Sequence, residues 1–267
     1  MLKAALAAAL IGTAFSQLES PHVTPGKMAF DMNVECVSLL GKNLYAKPES
    51  TGADVKALER HLAEADKHVA AQPENPVVHV ERAQALEALW RFHEAVQAYS
   101  KAIALNPGDP NVYVARGRGF ATLRLFEQSA ADFEHATAID PQNADAWLGL
   151  GVTNYLRGNF SKAADALQKA RALPLNQRAE ETNLWYSLAL IRQGKSTEAP
   201  IQKPGSVASK YGLGEYAAAL ESGTDAALPA YRAMIAKRTD WPTLEVLAAE
   251  AEVAAVDGNK KMSNERY

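Results

Sequence analysis

Cysteine is nearly missing from this chain of 267 residues: Cys36 stands alone. A lone thiol closes no intramolecular disulfide, so the fold has to hold without one even in an oxidising compartment. No His or Asn placement around Cys36 marks it as a nucleophile. Aromatic residues are 7% and β-branched residues are sparse beside Ala, which argues against sheet and for an all-helical fold. Charge has no dominant sign. The net value of −3 and the absence of a basic stripe disfavour a nucleic-acid partner. No apolar run reaches the roughly 17–25 residues that cross a bilayer, so no membrane span is expected.

The signatures of chemistry are also missing. There is no phosphate-binding Gly-x-x-x-x-Gly-Lys-Ser/Thr, no Gly-x-Ser-x-Gly, no His-Glu-x-x-His and no Cys-x-x-Cys. Arg116-Gly117-Arg118-Gly119 imitates a glycine-rich loop but falls inside a helical stretch. His61, Glu64 and His68 share a helix face at i, i+3 and i+7. They lack the further ligand and tighter spacing of a zinc site and read as solvated side chains. His79 and His93 read as structural. Catalytic residues, metal and cofactor are all expected to be none.

What the chain does have begins with a leader. Lys3 precedes an apolar run from Ala4 to Phe15, and Ala14-Phe15-Ser16 offers small residues at −3 and −1 of a cleavage site before Gln17. That is the layout of a secretory signal peptide over 1–16. No cysteine follows it to carry a lipid.

The main feature is a period of 34 residues. Pro73, Pro107 and Pro141 keep it, as do Phe92, Phe126 and Phe160. Small residues recur in the same phase: Ala83, Gly117, Gly151; Ala95, Ser129, Ala163; Ala102, Ala136, Ala170. So do larger ones, His79, Tyr113, Trp147 and Tyr99, Phe133, Leu167. Seven columns in phase predict helix hairpins, with small side chains where helices approach and aromatic wedges between them. Proline closes each second helix, because it lacks an N–H and restricts the residue before it.

These columns and this period resemble the tetratricopeptide-repeat (TPR) family, most closely over 76–173. Arg82 and Arg116 depart from it, standing where many repeats carry Leu. The resemblance implies an all-α, right-handed superhelical solenoid of antiparallel helix pairs. The expected layout is an irregular segment at 17–50 and a solenoid at 51–257, then a disordered tail at 258–267. Within the solenoid come a cap helix at 54–71, repeats at 76–109, 110–143 and 144–175, and degenerate repeats near 180–199 and 208–239. A last helix at 242–257 stops at Gly258. With its leader, Ser38-Leu39-Leu40-Gly41, Leu44-Tyr45 and Arg116-Gly117, the chain resembles exported bacterial TPR proteins without established activity. A periplasmic or secreted location is the expectation.

In the family, the first helix of each unit lines a concave groove that takes a peptide or protein segment. Carried onto this sequence, the lining is Val80, Gln84 and Glu87 from the first unit and Val114, Arg118 and Thr122 from the second. The third adds Leu148, Val152 and Tyr155, and the fourth adds Leu188 and Arg192. The same mapping takes in Val77, Asn111 and Asp145. Members that clamp a peptide's terminal carboxylates use Lys, Asn and Arg at such positions, whereas Val80, Gln84, Val114 and Arg118 stand here. The expected ligand is therefore an apolar or amphipathic segment. Self-occupation by 17–50 or by the Pro-rich 200–210 stays open. Two functions stay open as well: a non-catalytic scaffold or adaptor, and an enzyme or accessory subunit with a site in 17–50 or 195–215. Homo-oligomers through the end helices are compatible with the first.

Overall fold

The computed structural model describes residues 34–40, 43–45, 55–173, 178–195, 216, 224–237 and 244–264. The leader at 1–16 and the 200–210 stretch lie outside these residues. Helix α1 (Val55–Ala71) precedes three hairpins of closely similar dimensions. They are α2 (Pro76–Ala88) with α3 (Phe92–Leu105), α4 (Pro110–Thr122) with α5 (Phe126–Ile139), and α6 (Ala144–Leu156) with α7 (Phe160–Ala172). Then come α8 (Ala179–Arg192), α9 (Thr224–Lys237) and α10 (Leu244–Asn264). Each helix of 55–192 packs on the next in sequence, which makes this an all-helical solenoid.

The local chemistry repeats with the same step. Asn75, Asp109 and Asn143 are the N-caps of α2, α4 and α6, and their side chains accept from the N–H groups of Val77, Asn111 and Ala146. A cap of this kind satisfies an N–H that the helix leaves orphaned and contributes about 1 kcal/mol. Pro76 and Pro110 follow at the first helical position, where the missing N–H costs nothing. The other ends are matched too. The N–H groups of Arg91, Leu125, Asn159 and Lys195 reach back to the carbonyls of Leu86, Phe120, Asn154 and Leu190. The residue before each of these N–H groups takes positive φ: Trp90 (58°), Arg124 (64°), Gly158 (75°) and Gly194 (70°). This is one helix-ending motif used four times, and it carries the repeat into a fourth unit.

The small columns are where helices touch. Ala83, Ala95, Ala102, Ser129, Ala136, Ala163 and Ala170 are fully buried. The departures at Arg82 and Arg116 are met by charge. Arg82 Nε donates to Asp66 Oδ1 at 2.6 Å, and Arg116 grips Asp132 through two nitrogens at 2.8 and 2.7 Å.

Two expectations change. Within 17–50, residues Val34–Val37 (β1) and Asn43–Tyr45 (β2) pair antiparallel, with Cys36 opposite Leu44. Leu44 packs against the cluster of Phe92, Val96, Phe120 and Leu123, which ties this short hairpin to the helices, since two strands alone are marginal in water. The degenerate repeat near 208–239 keeps α9 as a helix with Pro229 inside it. Finally, α10 runs to Asn264 through Gly258, because an interior glycine costs only about 1 kcal/mol relative to alanine and helix formers follow it.

Candidate functional site

The helices expected to line the groove are α2, α4, α6 and α8, and their exposure divides the mapped lining in two. On the first two units the lining is open and polar. Gln84, Asn111 and Arg118 are exposed, and Val77 is 58% exposed. Val80, Glu87 and Thr122 are half-buried, whereas Val114 is part of the packed core. Asn143 Nδ2 donates to Asn111 Oδ1 at 3.2 Å, and Arg118 lies 3.6 Å from Asp145, which Arg178 also approaches at 3.4 Å.

Glu87 is the unusual group here. Tyr99 donates its hydroxyl to Glu87 Oε2 at 3.1 Å. Burial lifts the Glu87 carboxyl from its ordinary 4.5 to about 6, against the opposing pull of that hydrogen bond and of Arg118. Burial likewise lifts the Tyr99 hydroxyl, with the Glu87 charge adding to it.

Past Asp145 on the third unit, and on the fourth, the same face is covered. Leu148, Val152, Tyr155 and Leu188 belong to one cluster with Leu247, Ala248, Ala249 and Val253 of α10 and with Ala227, Tyr231 and Met234 of α9. Tyr155 and Tyr216 share a hydroxyl–hydroxyl contact of 2.7 Å, and the Tyr216 hydroxyl donates a hydrogen bond to Glu252 Oε1 at 3.0 Å. Arg192 closes the chain, 3.1 Å from Glu252 and with its guanidinium over the Phe160 ring. Burial raises the Glu252 carboxyl, while Arg192 and Tyr216 oppose the rise. Glu250 pairs instead with Arg124 at 3.1 Å, both side chains nearly sealed from solvent at 2% and 3% exposure.

Residues two apart on a helix point about 200° from each other, so α10 is gripped from both sides. Arg124, at the turn of the second unit, holds one side, and Arg192, on the fourth, holds the other. The occupant of this half is therefore α10, and 200–210 lies outside the described residues. Sequence reasoning left out Arg124, Tyr216, Glu250 and Glu252. A signal was present in two carboxylates set within the otherwise apolar run Val246 to Val256, since a helix apolar all round is a buried one. Another was Arg124 at a turn position that Gly158 and Gly194 fill in later units.

Among the described residues no three His, Cys, Asp or Glu side chains gather as metal ligands, and no helix is long and apolar enough to cross a membrane. His68 is 3.0 Å from Glu81 and 3.9 Å from Glu64, which places it in a surface charge cluster.

Comparison with curated proteins gives no match. Among solved structures the chain is similar to MamA, at 16% identity and a TM-score of 0.47 over 69% of this chain and 94% of that one. It is similar to MamA 41-end from Desulfovibrio magneticus RS-1, at 19% identity and 0.47 over 51% and 76% of the two chains. It is also similar to the Arabidopsis OM64 TPR domain, at 24% identity and 0.40 over 43% and 93%. Family models for the tetratricopeptide repeat match residues 76–109 and 114–177, which are the hairpins described above. With that match and the 34-residue helix hairpins, residues 76–173 of the chain are an array of tetratricopeptide repeats.

Proposed function

We propose that this protein is a non-catalytic scaffold that holds a peptide or protein segment on the open half of its concave face. The fold is that of a protein–protein interaction module in general. The finer reading is supported by one observation above all: the face is split, and its exposed side chains lie on the first two units and at Asp145, where the third begins. Gln84 and Asn111 offer amides that can pair with a peptide backbone. Arg118, Glu87 and Asp145 supply charge of both signs, and Val77 and Val80 supply apolar contact. This mixture suits a mostly polar segment with an apolar anchor more than a wholly apolar one. The aliphatic lining that favoured an apolar ligand in the sequence is the part that α10 covers.

Photo-crosslinking in the native cell tests the proposal. A benzophenone side chain placed at Gln84 or Asn111 should trap a discrete partner, and Arg118→Glu in the same chain should abolish the product. The same group at Glu134, exposed on α5, should trap none. Products from Glu134 alone would place binding on the outer face and overturn the reading.

A further inference from the structure

The covered half of the groove is built as a receptor for a helix of one definable kind. Its floor is Leu148, Val152 and Tyr155, and its walls are two guanidinium groups, Arg124 and Arg192. A helix entering it must be slim and apolar along the floor and must carry carboxylates two residues apart, one for each wall. Leu244–Asn264 meets both requirements with Leu247, Ala248, Ala249 and the pair Glu250 and Glu252.

Two features oppose this closure. It buries two carboxylates and two guanidinium groups, and such pairs roughly break even against the loss of hydration. Trp185 Nε1 and the Tyr231 hydroxyl are buried with no hydrogen-bond partner among the described residues. A closed state with these costs is open to competition.

We propose that α10 is an intramolecular ligand that holds half of the groove shut. A partner helix carrying two carboxylates at i and i+2 on a Leu- and Ala-rich background displaces it. The proposal rests on the concave face being the binding surface. The partner therefore has two places to engage, the open polar half and, once α10 leaves, the apolar half between the arginines. Covalent linkage gives α10 an effective concentration on the order of millimolar, so a partner has to bind tightly or α10 has to be loosened first. Apparent affinity then falls in proportion to the fraction of molecules that are open.

The test uses the full chain and a fluorescein-labelled synthetic peptide of sequence 244–264 as the probe. Glu250→Gln with Glu252→Gln weakens the bound helix without altering its shape. This double variant should bind the peptide at least about tenfold more tightly than the wild type, a change worth about 1.4 kcal/mol. Adding Arg192→Gln should remove the gain. Amide exchange over 244–257 should rise when the unlabelled peptide is present. If the double variant fails to fold, Glu252→Gln alone should give the same order of affinities with a smaller gain. Equal affinity in wild type and variants, or a gain that survives Arg192→Gln, would show α10 to be ordinary core and end the proposal. Neither result bears on crosslinking at Gln84 and Asn111, so the two readings fail separately.

Discussion

At the scale of single residues, the turn position shared by Trp90, Arg124, Gly158 and Gly194 shows a local cost kept for a distant contact. Glycine takes positive φ freely, whereas another residue loses about 1–2 kcal/mol there. Arg124 accepts that loss while its guanidinium meets Glu250 and donates to the Thr122 carbonyl at 2.6 Å. Arg124→Ala keeps the strained backbone and leaves Glu250 buried and unpaired, so it should destabilise by about 3–5 kcal/mol. Arg124→Gly should lose about 1 kcal/mol less, and the gap between the two variants in urea melts isolates the backbone term. Glu87 makes a second prediction, through pH. Its folded carboxyl titrates near 6 against an ordinary 4.5, so the folded chain binds this proton more tightly than the unfolded one. The contribution to stability is present below about pH 4.5 and is lost as pH rises through about 6, by about 2 kcal/mol in all. Melts at pH 4.5 and pH 7 should show wild type losing that much relative to Glu87→Gln.

At the scale of elements, helix packing rests on positions without room for one more carbon. A Cβ added to Gly151 would fall within the van der Waals envelope of Leu167, and one at Gly149 within that of the Phe133 ring. At Gly117 the nearest atoms of Phe133 would be 3.2 Å away, a contact that a small ring shift relieves. Gly→Ala in a helix otherwise gains about 0.5–1 kcal/mol. Gly117→Ala should therefore be close to neutral, whereas Gly151→Ala should be destabilising overall by about 1–2 kcal/mol once overpacking is included. Thermal melts of the two variants would show whether the columns are set by contact between helices or by helix propensity alone. The repeat was legible in the sequence because these contacts recur with a fixed step and each fixes a residue type: small at Ala83, aromatic at Phe126, proline at Pro141. The hairpin at 34–45 was not legible. It is only a few residues long, and Leu44 is held by Phe92 and Phe120, which lie far along the chain. Nor was the path of α10 past Gly258, since no local signal outweighed a glycine that elsewhere ends helices.

At the scale of the whole molecule, the repeat pattern could say which helices line the concave face but not what lies on it. Leu148, Val152 and Tyr155 look the same in sequence whether a partner or the chain itself covers them. The deciding residues, Glu250 and Glu252, lie about a hundred positions away and outside the period. In a solenoid each unit rests mainly on its neighbours, so damage in one place need not spread. Here α10 adds a long-range tie between the second and fourth units. Leu148→Glu with Tyr155→Glu would bury two unpaired carboxylates beneath that tie, and release of α10 is the least costly relief. The expected outcome is new subtilisin cleavage between residues 237 and 257, with amide protection over 76–105 kept near the wild-type level, because sub-global opening follows contiguous units. Protection lost evenly from 76 to 192 would mean instead that the tie has merged the array into one cooperative block, and that α10 leaves only when the whole solenoid unfolds.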